Sequence, residues 1–258
     1  NADDRGQPFC SKGLALLIYK EGFLSSRWIE MLKSRTTDGY NGNVNNSVAA
    51  YPSISGQSAV NSITGQNYAI MSKPPNPKLR WERIANLNFG VDFGLFKHRL
   101  NGSVEYYQKW GKDLISVAPV DPTLGYSTLT VNYANTKTTG WDISLQAKSV
   151  ESKDWGWQHN LVFSYNKTLV TKAYTNPSNP SYLYMAGNNS SPMTPVVGAD
   201  LYALLSYSWA GLDPEDGSPR AYLNGEISKD YLAIRNSKLD QLQNNGSTRP
   251  LYFGSLRN

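Results

Sequence analysis

One short stretch of the 258-residue sequence gathers side chains of the kind that hold a metal ion: Asp213, Glu215 and Asp216, followed by Gly217. Hard cations such as calcium take oxygen ligands, and the EF-hand loop needs carboxylates at its positions 1, 3 and 5 with a Glu at position 12. The spacing here departs from that pattern. Asp213-Pro214 and Asp216-Gly217 each carry a turn signature, so consecutive turns are the better fit, with a weak cation site as the alternative. The two histidines, His98 and His159, are far apart in the chain, form no ligand pair and read as surface residues. A single cysteine, Cys10, excludes an internal disulfide and a cysteine-built zinc site, and reads as an inert half-buried thiol. No Ser-His-Asp, Cys-His, paired-carboxylate or phosphate-loop constellation is present, so neither an enzymatic mechanism nor a cofactor is expected. The remaining candidates are aromatic. Tyr126, Tyr133, Tyr182, Tyr184 and Trp209 fall in or beside long loops, where a flat ring can stack on the apolar C–H face of a sugar or pack against a partner.

The elements that must position these side chains are announced by composition. Aromatic residues make up 12% of the chain, with 17 Tyr and 7 Trp, while only 17% of residues are charged. Such a balance reads as ordered β structure and argues against disorder. Lys and Arg exceed Asp and Glu by 25 to 20, a net +5 spread without basic runs, so nucleic-acid binding is not expected. The longest apolar run, Leu14 to Tyr19, falls far short of the ~20 residues of a spanning helix. No signal-peptide pattern follows Asn1, which suggests that Asn1 is not a natural N-terminus.

Period-two alternation is the clearest signal. Leu87, Phe89, Val91, Phe93 and Leu95 alternate with Asn86, Asn88, Gly90, Asp92 and Gly94, which predicts a strand with one apolar and one polar face. After a break at Phe96 to Arg99, Leu100, Gly102, Val104, Tyr106 and Trp110 alternate with Asn101, Ser103, Glu105, Tyr107 and Lys109, giving a long hairpin. Trp141, Ile143, Leu145 and Ala147, and then Leu161, Phe163 and Tyr165, repeat the pattern around a turn at Glu151 to Asp154. Each strand runs to about 10 residues or more, against ~5–6 in ordinary domains. The links between hairpins are expected to be long, from Ser116 to Thr138 and from Tyr174 to about Ala199, with another long loop at Asn43 to Asn67. Tight turns at one end, long loops at the other, and Trp81, Trp110, Trp141, Trp155 and Trp157 near strand ends are the marks of an outer-membrane β-barrel. The first 75 residues are less regular, with a weak strand at Gly13 to Lys20 interrupted by Leu17, and a polar stretch follows Ala210 before a strand start at Leu251 to Leu256.

Particular stretches are also recognisable. Asn76-Pro77-Lys78-Leu79-Arg80-Trp81-Glu82 resembles the NPxLxWE segment of the SusC/RagA group of TonB-dependent outer-membrane transporters. Asn88 to Phe96, Arg99 to Tyr107 with Lys112 to Ile115, Thr139 to Asp142, and Ala210-Gly211-Leu212-Asp213-Pro214-Glu215-Asp216-Gly217-Ser218-Pro219 follow in that family's order. Gly39 to Asn43 upstream and Ser247 to Asn258 downstream are similar to further family stretches, whereas Ser34 to Asp38 depart from its pattern.

The resemblance implies an all-β chain forming antiparallel strands of a large transmembrane barrel, present here as a partial barrel. Residues 1–258 would be part of one β-barrel domain, with the plug, the TonB-contacting segment and the C-terminal strands absent. It implies an energised importer of large nutrients, glycans or peptides, in a bacterial outer membrane, working with the TonB complex and a SusD-like surface lipoprotein. In that picture Asn86, Asn88, Asp92, Asn101, Glu105, Asp142 and Gln146 line the lumen, and Phe89, Phe93, Val104, Ile143 and Phe163 meet outer-membrane lipid. The alternative is a surface or secreted β-sandwich that binds carbohydrate.

Overall fold

The computed structural model describes residues 9–20, 27–43, 51–126, 128–174 and 195–258. Its main feature is a seven-stranded antiparallel sheet. The strands are β1 (Cys10–Leu17), β2 (Ile29–Asn43), β5 (Glu82–Leu95), β6 (Leu100–Pro119), β7 (Thr128–Glu151), β8 (Gly156–Ala173) and β14 (Tyr252–Arg257), paired in that order. Among the described residues these strands pair with their neighbours in this order, with one further bridge from Leu169 of β8 to Asp200, so the sheet is an up-and-down meander with β1 and β14 at its edges. Smaller pieces decorate the links. The hairpin of β3 (Ser53–Gly56) and β4 (Ala69–Lys73) lies between β2 and β5. Between β8 and β14 lie the pair of β9 (Ala203–Ser206) and β13 (Gln243–Ser247), the sheet of β10 (Trp209–Leu212), β11 (Pro219–Leu223) and β12 (Glu226–Ser228), and helix α1 (Tyr231–Arg235).

The strands exist because their alternation lets every backbone group pair in the plane while the two faces take different solvents. The hairpin turn at Phe96 to His98 shows what the short links cost. All three residues adopt positive φ, at 55°, 57° and 57°, a conformation that side chains with a Cβ disfavour by roughly 1–2 kcal/mol each. Neighbouring strands hold it in place: Phe96 N–H donates to Trp28 O, Lys97 N–H to the Glu30 carboxylate, and Asn101 Nδ2 to His98 O.

Several expectations need correction. The link expected over Ser116 to Thr138 is only residues 120–127, because a bulge lies in β6. Lys112 and Asp113 together oppose Asn135, with Asp113 at φ 57°, and pairing resumes at Leu114 with Ala134. A bulge breaks the period-two pattern without ending the strand, which is why the alternation stops early. The same length places Trp110 and Trp141 inside strands rather than at their ends. The weak strand at Gly13 to Lys20 is β1, running from Cys10 to Leu17 and turning at Ile18 to Lys20. Ser34 to Asp38, where the family pattern fails, lie in the middle of a regular β2. The loop expected over Asn43 to Asn67 contains β3, which pairs with β4 beyond it.

Burial is the decisive property of this sheet. Only Ala118, Val131, Tyr133, Ala134, Val170 and Ile234 are buried apolar residues among those described. A sandwich would cover the apolar face with a second sheet about 10 Å away and bury alternate residues along every strand. No such sheet exists among the described residues, and Phe89 and Trp141 stand 49% and 45% exposed on the apolar face. The sandwich alternative therefore fails.

Candidate functional site

Cross-strand register sorts the sheet into two faces. Asp92, Ser103, Ser144, Val162 and Ser255 form one row across β5 to β14; Gly90, Glu105, Asp142, Ser164 and Phe253 form the next. Asn88, Tyr107, Gly140 and Asn166 follow, then Asn86, Lys109, Thr138 and Thr168. Asn101 and Gln146 pair at the tight-turn end, where Asn101 also holds the turn through its contacts with His98. Asn86, Asn88, Asp92, Asn101, Glu105, Asp142 and Gln146 thus share one polar face.

An ion network crosses three strands of that face. Arg35 on β2 donates from Nη2 to Asp92 at 2.9 Å and to Glu105 at 2.6 Å, and its Nε lies 2.8 Å from the second Asp92 oxygen. Asn88 Nδ2 donates to the other Glu105 oxygen at 3.1 Å. Gly90 makes the crossing feasible. A Cβ there would stand 3.2 Å from Arg35 Nη2, so the missing side chain leaves a lane over β5. Beyond Gly90, Glu105 faces Asp142 on β7. Replacing Arg35 with Met leaves three neighbouring carboxylates without their cation. We expect a loss of about 1 kcal/mol at low salt that shrinks as salt rises, because the groups are only partly shielded. Thermal melting of the full-length protein in detergent at two ionic strengths measures it.

The opposite face is apolar in register. Phe89, Tyr106, Trp141, Tyr165 and Tyr252 form an aromatic row, with Tyr106 and Trp141 centroids 4.8 Å apart and Tyr165 and Tyr252 4.9 Å apart. Val91, Val104, Ile143 and Phe163 follow, then Phe93, Gly102, Leu145, Leu161 and Leu256. Phe89, Phe93, Val104, Ile143 and Phe163 therefore share this second face. Toward the tight turns, the Trp157 ring lies tilted beside that of His159, centroids 4.8 Å apart, and Trp157 pairs in register with Val150.

At the opposite ends of the strands, the Asn76–Glu82 segment is tied to the bulge. Arg80 and Arg83 both reach the Asp113 carboxylate, at 2.8 and 2.5 Å. Asn132 accepts from Arg80 N–H and donates to the carbonyls of Arg80 and Asp113, Asn135 accepts from Asp113 N–H, Glu82 accepts from Ile115 N–H, and Asn76 donates to Thr130 O. Arg35, Arg80, Arg83, Asp113 and Lys229 are functional or architectural residues that sequence reasoning missed. Arg35 and Arg83 are lone charges on strands, Arg80 and Lys229 flank strands and Asp113 sits in the bulge, so each looks in the sequence like any solvated charged residue.

The Asp213 to Gly217 stretch is a pair of turns. Asp213 Oδ1 accepts from Glu215 N–H, and Asp216 Oδ1 accepts from the N–H and hydroxyl of Ser218. Lys229 Nζ sits 2.9 Å from Asp213 and 3.2 Å from Asp216, so an ammonium occupies the place between the carboxylates. No group of His, Cys, Asp and Glu able to hold a metal occurs among the described residues. The Ser218 hydrogen bonds and then Lys229 hold the Asp216 carboxyl down at about 2. A depressed carboxyl contributes stability above its ordinary value of 3.8 and loses it as pH falls through about 2. Pepsin cleavage within residues 219–232 should accordingly set in only as pH approaches 2. In Lys229→Met, which leaves both Ser218 hydrogen bonds in place, the onset should rise only slightly, and in Ser218→Ala it should rise further.

The aromatic candidates separate. Tyr126 lies half-buried in the 120–127 link and Trp209, 58% exposed, begins β10. Tyr133 is not in a loop: it is a buried β7 residue, its ring 6.4 Å from Tyr174. Tyr182 and Tyr184 lie outside the described residues. Cys10 is exposed at the edge of the sheet, not half-buried. His98 is at the hairpin turn and His159 near the start of β8.

A long antiparallel meander with one apolar face, one polar face and, among the described residues, no protein over the apolar face is the wall of a transmembrane β-barrel, here unclosed. The model of the TonB dependent receptor-like β-barrel family matches residues 19–250, and the chain belongs to that family. Its members are outer-membrane receptors and transporters. TonB-dependent receptor P39 of Formosa agariphila is 32% identical over 158 residues, 59% of this chain and 15% of that protein. TonB-dependent receptor SusC of Bacteroides thetaiotaomicron is 26% identical over 241 residues, 84% of this chain and 23% of its own length. In fold, the solved structure of the RagAB peptide transporter superimposes with a TM-score of 0.78 at 23% identity, over 99% of this chain and 27% of that one. The chain therefore spans less than a quarter of the length of these curated relatives.

Proposed function

We propose that residues 1–258 are part of one TonB-dependent receptor β-barrel domain, in an outer-membrane protein that actively imports large nutrients, glycans or peptides. The import is energised through the TonB complex and works with a SusD-like surface lipoprotein. The observation that carries this reading is the uncovered apolar face. Along β8 the span from Tyr165, the partner of Trp141, to Trp157, the partner of Val150, is eight residues, or ~26 Å along a strand. The ~40° tilt of a barrel strand shortens that to about 20 Å, most of the ~25 Å apolar band of such barrels, with aromatic residues at both borders. On this reading Phe89, Phe93, Val104, Ile143 and Phe163 meet lipid, while Asn86, Asn88, Asp92, Asn101, Glu105, Asp142 and Gln146 face the lumen. SusC, a TonB-dependent receptor, supports the coupling to TonB, and RagAB, a peptide transporter, supports the peptide reading. Tyr126, in the 120–127 link, and Trp209, exposed at the start of β10, are aromatics available to ligand or lipoprotein.

Fractionation and uptake test the proposal together. The full-length protein should be recovered in the outer membrane, and deleting it should abolish uptake of labelled oligosaccharides or of labelled peptides, with removal of TonB having the same effect. Recovery in the soluble fraction, or uptake of both classes unchanged, overturns it.

A further inference from the structure

A cavity of about 460 Å³ lies where the Asn76–Glu82 segment crosses the loop ends of β6, β7 and β8. Its size is that of a small-ligand site. Its charge is one-sided. Lys78, Arg80 and Lys172 line it, and Asp113 is its only acidic residue. Asp113 is already taken: Arg80 holds one carboxylate oxygen and Arg83 the other. Lys78 and Lys172 make no ion pair among the described residues.

The chain itself offers them little. Glu82, which accepts from Ile115 N–H, is the one acid between Asp38 and Asp92, and none lies between Asp154 and Asp200, so the sequence around either lysine supplies no other carboxylate. The cavity also has an apolar side. Val131 and Tyr133 are buried in its wall, and the half-exposed Tyr174 ring stands at 6.4 Å from that of Tyr133. Two solvent-exposed ammonium groups with no ion pair among the described residues, beside an exposed aromatic ring, suit an anion carried on a flat body, since the charge meets charge-assisted donors while the C–H face meets the ring.

We propose that this cavity binds an anionic sugar, its carboxylate, sulfate or phosphate held by Lys78 and Lys172 and its ring laid against Tyr174. The inference rests on charge and geometry alone and does not require transport. The anion has two sources, a sugar acid arriving from solution or a phosphorylated sugar of the outer-leaflet lipid, and one experiment separates them. Detergent-purified full-length protein is titrated with trigalacturonate and with its neutral methyl ester, and lipid phosphorus retained through purification is measured in parallel.

The soluble source predicts that wild type binds the acid about tenfold tighter than the ester. The preference should vanish in Lys78→Gln/Lys172→Gln while ester binding stays unchanged, which shows the variant folded. The lipid source predicts retained phosphorus that falls in the double variant, with trigalacturonate binding only after the lipid is stripped. Equal affinity for acid and ester in stripped wild type, with phosphorus the same in both proteins, overturns the proposal. Import could fail in the uptake assay while this preference holds, and the reverse, so the two readings stand or fall separately.

Discussion

Phe93→Lys in the full-length protein should abolish assembly into the outer membrane, whereas Asn88→Lys should be tolerated. Both residues are on β5, five positions apart and therefore on opposite faces. Phe93 shares a row with Gly102, Leu145 and Leu161, close to the middle of the stretch from Trp141 to Val150. A lysine at the midplane of a barrel's lipid face costs about 2–4 kcal/mol, falling toward zero at the interfaces. Ile143→Lys, two residues from the aromatic row, should be impaired less severely than Phe93→Lys for the same reason. A lysine at position 88 projects from the polar face beside Glu105, where its charge is compatible. Heat-modifiable mobility of outer-membrane fractions reads the assembled population. Equal tolerance at positions 88, 93 and 143 would remove the basis for assigning the two faces.

The second large effect is expected at Gly140. Tyr107 on β6 lies directly opposite it in register, and a Cβ at this position would overlap the Tyr107 ring. It would also stand 2.7 Å from the carbonyl oxygen of Tyr165 on β8, which is backbone and cannot swing away. Gly140 is thus the seat for the tyrosine ring, whose hydroxyl accepts from Asn166 Nδ2 at 3.3 Å and whose face carries the Lys109 ammonium at 4.9 Å. Gly140→Ala should destabilise the assembled protein by about 1–3 kcal/mol, as overpacking does in a close-packed setting. Adding Tyr107→Ala should restore only part of the loss, because the Tyr165 carbonyl remains in the way. Midpoints of thermal unfolding in detergent for the two single variants and the double variant decide it. Full rescue by Tyr107→Ala would mean that the ring alone requires the glycine.

Alternation along one strand is a local property, and it was legible residue by residue. Phe89 and Phe93, or Asn88 and Asp92, share a face whatever else the chain does, because successive side chains point to opposite sides. The tight turns at Phe96 to Arg99 and after Glu151 were legible for the same reason, each being bounded by a loss of period. The family motifs carried the fold beyond the segments that alternate. By contrast, the sequence showed no end of β6 past Gly111 and no start of β7 at Thr128, since the bulge at Lys112 and Asp113 breaks the period while the ladder continues.

Which distant residues meet is settled by the folded sheet. Arg35 reaches Asp92 across 57 positions and Glu105 across 70, over a glycine whose role is to be empty. Asn132 and Asn135 clasp the Asn76–Glu82 segment and the bulge, and Lys229 comes to rest between Asp213 and Asp216. These contacts depend on cross-strand register and on how a loop folds back, quantities set jointly by many strands and written in no single one. That this chain builds an amphipathic antiparallel wall follows from its residues alone, because period-two hydrophobicity acts locally. The placing of its charges, its bulge and its cavity needed the assembled sheet, because partners brought together by register leave no mark in the spacing of either.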